Sequence, residues 1–299
     1  MRTWLGFDIG GTKTGWLLAD DDGRVLGRGA VPTPGSPDAI TEVLLREIAA
    51  NTAGGALAGI GVASMGVIDP RSGTVLTASD SIPGWTGHRL GTILRGAQPL
   101  PVAVLNDVNA FLLGEIDRGA LHGAHTALGV MLGTGVGGAV QLSGQLYAGD
   151  LGGAAEIGHM PGFGDLPCTC GGRGHLETLT SGRSLALRYQ ERTGRPTRGA
   201  AEVAESAHAG DSEARAVFTE AGDALGRALA MAGTLFDLDR VVCGGGVTAS
   251  WDLLEPGLEQ ALAANPLVSG RTLRVRRTAL GSDAVCHGAI SAAVELCGR

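Results

Sequence analysis

Between Glu156 and Glu177 the chain reads E-I-G-H-M-P-G-F-G-D-L-P-C-T-C-G-G-R-G-H-L-E, two histidines and two cysteines between flanking carboxylates. His159 precedes Cys168 by nine residues, Cys170 follows across a single Thr, and His175 comes five later. Four soft or borderline ligands at this spacing, among glycines that let the backbone turn about a point, suit a tetrahedral Zn²⁺. The competing reading is a pair of unrelated thiols in a loop; a C-x-C with His on both sides favours the metal. Such a site has all four positions filled by protein and no place for a water. It is therefore expected to be structural, with the chemistry done by groups that the metal holds still.

Three glycine turns add a second theme. Gly10-Gly11-Thr12-Lys13 follows an apolar run where phosphate loops sit, but it lacks the Gly-Lys of a P-loop and leads into a strand. Gly133-x-Gly135-x-x-Gly138 satisfies G-x-G-x-x-G as a string, yet A-V-Q-L-S-G follows it, so the dinucleotide fingerprint fails on context. What remains is a pair of glycine hairpins whose backbone N–H groups approach a phosphate. Gly244-Gly245-Gly246 ends a buried strand and opens a helix, a seat for a base, ribose or phosphate. Three such turns at strand ends favour a nucleotide site. Asp107 in N-D-V-N ends a short apolar strand and begins a helix. Either Asn106 or Asp107 caps that helix, or Asp107 is a fixed carboxylate that takes a proton from an attacking alcohol.

Residues 3–32 read as a three-stranded meander with a turn at Asp21-Asp22-Gly23. Ser36-Pro37-Asp38 starts a helix that runs to about Thr52 and stops at Gly54-Gly55. A buried strand over 57–63 is followed by the turn-rich loop S-M-G-V-I-D-P-R-S-G, a helix near 88–96, the strand 102–105 and a helix to about Arg118. Residues 126–148 repeat the opening theme of strand, glycine turn and strand, which predicts two related halves. Helices are expected over about 178–191, 199–208 and 212–235. Then come a strand into the triple glycine, a helix, the strand 272–277 and a last helix from about 284. Strands alternating with helices call for α/β sheets with helices on their faces. The break falls near 118–122.

The bulk properties exclude several classes. With 44% hydrophobic and 18% charged residues the chain has an ample core, and 23 basic against 30 acidic residues leave a net charge of −7. Only Arg271 to Arg277 is locally basic, so nucleic acid is not an expected partner. No apolar run is long enough for a membrane span, and no signal-like segment stands at the N-terminus. Cys243, Cys286 and Cys297 sit in apolar runs and are expected to pack as small hydrophobes, a usage that fits the cytoplasm.

Taken together, these residues resemble the ROK family of bacterial sugar kinases and repressors, within the actin-like ATPase (ribonuclease H-like) superfamily. D-I-G-G-T-K at 8–13 looks like its first phosphate motif, G-T-G-V-G-G at 133–138 its second and G-G-G-V at 244–247 its adenosine motif. N-D-V-N at 106–109, E-I-G-H at 156–159 and C-T-C-G-G-R-G-H-L-E at 168–177 match the family's catalytic, sugar and zinc motifs. The resemblance implies an α/β fold of two lobes with mixed sheets and a ligand cleft between them. The lobes are expected at 1–119 and 120–299, with the last helix packing back on the first. It implies an ATP-dependent sugar kinase with catalytic Mg²⁺ and structural Zn²⁺, assembled as a homodimer or homotetramer. Asp107 is then the base. Asp8 helps hold Mg²⁺; Gly10, Gly11, Thr12, Lys13, Gly133, Thr134 and Gly135 line the phosphates, and Gly244, Gly245 and Gly246 the adenosine. Gly66, Asn106, Asp107, Glu156, His159 and Glu177 bind the sugar, and His159, Cys168, Cys170 and His175 the zinc. His175 stands where the family has a third cysteine, and imidazole is a competent replacement.

The repressors carry a winged helix before the first phosphate motif, and only seven residues precede Asp8 here, which favours a kinase. A sugar sensor of the same fold without turnover is the alternative. The loops V-A-S-M-G-V-I-D-P-R-S-G and S-I-P-G-W-T-G are similar both to glucokinases and to N-acetylmannosamine or N-acetylglucosamine kinases, and slightly closer to the amino-sugar branch. Cys168→Ser is expected to loosen the loop and weaken sugar binding before it touches ATP.

Overall fold

The computed structural model describes residues 2–52, 57–79 and 81–298. The chain divides into two compact units. One comprises Met1–Gly123, Ala148–Gly153 and Ala279–Arg299, the other Ala124–Tyr147 and Ala154–Thr278.

In the first unit the meander forms as β1 (Thr3–Ile9), β2 (Lys13–Asp20) and β3 (Val25–Pro32), paired antiparallel in order. Helix α1 (Pro37–Thr52) starts where Ser36 precedes a proline whose missing N–H costs nothing at a first turn. Its expected stop at Gly54-Gly55 lies outside the described residues. Strand β4 (Leu57–Ser64) runs parallel to β1. The loop after it is more ordered than a turn-rich stretch suggests: β5 (Val67–Ile68) and β6 (Val75–Thr77) form a small hairpin. Its bend is held by Asp69, which accepts the Ser72 hydroxyl at 2.7 Å and the Arg71 N–H at 3.0 Å. Helix α2 (Leu90–Ala97) leads to β7 (Val102–Asn106), parallel to β4, and β7 runs straight into α3 (Asp107–Asp117). The sheet order is β3-β2-β1-β4-β7.

The second unit repeats that order. Strands β8 (Ala127–Leu132), β9 (Val136–Leu142) and β10 (Gln145–Tyr147) are the meander. A segment expected as one helix over 178–191 is two: α4 (Glu177–Thr180) and α5 (Gly182–Thr193). Ser181 interrupts them because its hydroxyl caps α5, accepting the Ser184 N–H at 3.2 Å. Next come α6 (Ala200–His208) and the long α7 (Ser212–Phe236), whose N-cap Asp211 accepts two N–H groups. Strand β11 (Arg240–Gly244) is followed by a 3₁₀ turn over Gly246–Ser250, then α8 (Trp251–Ala264) and β12 (Arg274–Arg277). The order is β10-β9-β8-β11-β12. The chain then returns to the first unit as α9 (Ala284–Gly298).

Burial explains the close packing of α9. Leu5, Phe7 and Ile9 point to one face of the first sheet, against Ile40, Leu44 and Leu90. The other face presents Gly6 and Gly61, where a Cβ would stand 2.3 Å from the Cys286 carbonyl and 1.9 Å from that of Ala289. Only glycine admits the helix backbone so near the sheet. Cys243 and Cys286 are buried as expected, but Cys297 is exposed: it sits in the last turn of α9, beyond the part that meets the sheet. Among the described residues no helix is long and apolar enough to cross a membrane.

Candidate active site

Asn106 and Asp107 stand at the carboxyl end of β7, where open α/β sheets gather their ligands. The ambiguity over the cap resolves in favour of Asn106. Its side-chain oxygen accepts Val108 N–H at 2.9 Å and Asn109 N–H at 3.0 Å. Its amide donates to the Gly66 carbonyl at 3.0 Å and to Asp107 Oδ1 at 3.0 Å. Asp107, the first helical residue, is thereby fixed from two sides, since its Oδ1 also accepts Val108 N–H at 2.9 Å. Gly66 has φ +91°, and a Cβ there would meet the Thr77 carbonyl at 2.4 Å, so the loop end beside Asn106 requires glycine.

The first glycine turn joins β1 to β2. Gly10 N–H donates to the Lys13 carbonyl at 3.0 Å, and Thr33 at the end of β3 ties the turn down through Gly10 O (2.7 Å) and Thr12 O (3.0 Å). Gly11, Thr12 and Lys13 are exposed. Desolvation pushes the Asp8 carboxyl up to about 6, opposed by the nearby Lys13 ammonium. A carboxylate desolvated in this way is one that a bound cation would stabilise in its charged form.

In the second unit Gly133 N–H donates to the Gly135 carbonyl at 2.9 Å, closing the turn between β8 and β9. Behind it lies a cavity of about 690 Å³ lined by Gly133, Thr134, Arg183, Leu187, Arg198 and Gly246 among others. Gly245, at φ +88°, sits so close that a Cβ would be 2.5 Å from the Leu132 carbonyl. Glycine is needed there for both reasons. The wall of α5 was not anticipated. Arg183, Leu187 and Gln190 line the cavity at helical spacing, a face readable in the sequence only once its neighbours are known.

The strip that begins at Glu156 folds as a 3₁₀ turn over Ile157–His159, a tight loop and α4. Phe163 is buried under the loop, and Cys168 N–H donates to Gly172 O at 2.9 Å across the hairpin tip. His159, Cys168, Cys170 and His175 converge, with one ligand atom from each within 4.8 Å of all the others. Cys170 Sγ lies 3.3 Å from His175 Nδ1, and Cys168 Sγ 3.8 Å from His159 Nδ1. Zinc bonds of about 2.1 Å to nitrogen and about 2.3 Å to sulfur need ligand atoms roughly 3.5 Å apart, so this two-His, two-Cys set fits a tetrahedral ion. Glu156 keeps part of its surface exposed, but desolvation of its carboxyl raises it above the ordinary value. His159 opposes this shift and Glu177 adds to it. Glu177 is engaged at both oxygens: Oε2 accepts Val136 N–H at 2.9 Å and Oε1 the Thr169 hydroxyl at 2.9 Å.

A family model described as "ROK family" matches residues 4–294. The chain belongs to the ROK family. A glucokinase of Streptomyces coelicolor is 31% identical over 272 residues, 85% of either chain. An N-acetyl-D-glucosamine kinase of Escherichia coli is 30% identical over 300 residues, 96% of this chain and 97% of that one. A crystal structure of a ROK family glucokinase from Streptomyces griseus in complex with glucose and AMPPNP has TM-score 0.82 and 29% identity, over 98% of this chain and 99% of that one. The two mixed sheets of this ROK protein are those of the two-lobed actin-like ATPase fold.

Proposed function

We propose that this ROK protein is an ATP-dependent sugar kinase, transferring the γ-phosphate of ATP to the primary 6-hydroxyl of a hexose or N-acetylhexosamine. The observation that carries the reading is the mounting of Asp107. It is a carboxylate at a strand end, fixed by Asn106 and the start of α3, as an alcohol's general base needs to be. In this reading Asp107 accepts the hydroxyl proton as the oxygen attacks the γ-phosphorus in line, the bond to the bridging oxygen breaks, and ADP leaves. Backbone N–H groups of the turns at Gly10–Thr12 and Gly133–Gly135 carry phosphate charge, with Lys13 beside the first. Asp8 would hold Mg²⁺, which when bound neutralises charge on the transferring group.

The cavity beside Gly244, Gly245 and Gly246 takes the adenosine. Arg183 and Arg198 supply cations at its wall. The sugar is gripped by Asn106, Glu156, His159, Glu177 and the Gly66 backbone. The two-His, two-Cys set would hold Zn²⁺, which supplies only order. With His159 Nδ1 turned to the metal, its Nε2 is left for a sugar hydroxyl.

The sugar is glucose or its 2-acetamido relatives, N-acetylglucosamine or N-acetylmannosamine, which differ from it at one carbon. The named relatives act on both classes. One of the two loops that lean toward the amino-sugar branch has a core duty: Trp85 of S-I-P-G-W-T-G is buried, donates to Ser64 Oγ at 2.9 Å and stacks on His88. That residue explains a fold, and only its neighbours are left to explain a substrate. The test is ADP release with ATP and glucose, mannose, N-acetylmannosamine or N-acetylglucosamine, compared as kcat/KM. Sugar binding without ADP from any of them would instead establish the silent sensor.

A further inference from the structure

Glu177 does more than face a sugar. It is the first residue of α4, and its carboxylate joins two parts of the second unit that are far apart in sequence. Oε2 holds the Val136 N–H at the exit of the second glycine turn, and a Cβ on Gly135 would lie 2.6 Å from that oxygen. Oε1 takes the hydroxyl of Thr169, the residue between the two clustered cysteines. A second stitch runs alongside: Gly182 N–H donates to the Gly133 carbonyl at 2.8 Å, from the residue where α5 begins. The Ser184 hydroxyl meanwhile fixes the Glu177 carbonyl at 2.8 Å. The metal loop and the phosphate turn are therefore bonded to each other through a single side chain.

We propose that Thr169 and Glu177 form a positioning relay through which order at the four-ligand site sets the shape of the Gly133–Val136 turn, and with it the affinity for the nucleotide's phosphates. This rests on the sugar-kinase reading and deepens it. Loosening of the loop then reaches the nucleotide as well as the sugar: a loosened Thr169 frees Glu177, and Glu177 then ceases to hold Val136 N–H. Oε1 also has Cys168 Sγ at 3.8 Å, while Oε2 has a second lone pair through which a sugar hydroxyl can join the relay without breaking it. Sugar, metal and nucleotide thus report to one carboxylate, and coupling of this kind is reciprocal by necessity.

Thr169→Val isolates the relay. It removes the donor and keeps the shape, and Thr169 is exposed and is not a ligand, so fold and metal content should be those of the parent. AMPPNP with Mg²⁺ would be titrated calorimetrically into four samples: parent and variant, each zinc-loaded (content checked by metal analysis) and chelator-stripped. A lost hydrogen bond of ordinary strength predicts that stripping weakens AMPPNP about 3- to 10-fold in the parent. The loaded variant should be weakened by a similar factor, and stripping should add little to it. Equal effects of stripping on parent and variant, or none on either, overturn the relay. If stripping unfolds the protein, hydrogen exchange of the loaded pair decides: the Val136 amide should exchange several-fold faster in the variant, and unchanged protection is fatal. No AMPPNP binding by the loaded parent would sink the kinase reading itself. Binding that ignores both the metal and Thr169 sinks the relay alone.

Discussion

Strands β7 and β12 occupy the same place in two sheets of identical order, each the last strand and each parallel to its inner neighbour. Strand β7 is buried along its first residues and ends on Asn106 and Asp107 at the start of a helix. Strand β12 reads R-V-R-R, is largely exposed and is followed by the chain's return to the first unit. The inner neighbours stay alike: β4 leads to Gly66 and β11 to Gly245, both with positive φ at the carboxyl end of a parallel strand. A duplicated scaffold therefore supplies two glycine turns and two strand-end glycines, while of these two last strands only β7 leads into a carboxylate, the base of the proposed reaction. Transfer of one proton needs one base, whereas a triphosphate offers charge to several sets of N–H groups.

The sharpest way to break that comparison is at Asp107. Asp107→Asn keeps the shape of the helix start and should lower kcat by roughly 10²–10⁴ with an unchanged melting curve. Near-parental turnover would remove the functional asymmetry between the two strands. The next largest effect is structural. Gly61→Ala places a methyl on the Ala289 carbonyl and should cost about 1–3 kcal/mol in chemical denaturation, because backbone cannot yield as a side chain can.

Asp8→Asn should separate function from stability. The carboxyl titrates at about 6 in the folded chain against an ordinary 3.8, so the native state binds the extra proton and stability falls as pH rises from about 4 to 6. Above that window the ionised group costs on the order of 1–2 kcal/mol after allowance for its partial exposure. The variant should lose turnover yet resist denaturant better than the parent at pH 7.5, with the advantage gone near pH 4. A parent whose stability is flat across that window would refute the assignment. The smallest effect belongs to β12. Arg274→Ala removes the exposed partner of Asp239, which keeps Arg271 as a second one, and should change stability by a few tenths of a kcal/mol and turnover not at all. A large loss of activity there would show that the second strand end also carries function.

Much of this was legible because it is local. Two meanders announced themselves through apolar alternation and turn residues, and each glycine turn could be placed at a strand end. The four candidate metal ligands fall within 17 consecutive residues, from His159 to His175, so their types and spacing alone indicated convergence, and His159, Cys168, Cys170 and His175 do meet. What escaped the sequence was either locally ambiguous or set by a partner distant along the chain. The β5–β6 hairpin closes on Asp69 and Ser72, polar residues that read equally well as loop. The split at Ser181 accompanies a bond from Gly182 to Gly133, 49 positions earlier.

The order of residues by itself determined which groups are present and where most strands and helices begin, since these follow from dihedral preference and nearest neighbours. Tertiary structure alone decided that Trp85 belongs to a core, that Cys297 faces solvent, that Arg183 and Leu187 wall a cavity, and that Glu177 reaches Val136. Those outcomes are set by which surfaces pack together, and packing joins positions whose separation in the chain carries no signal of their meeting.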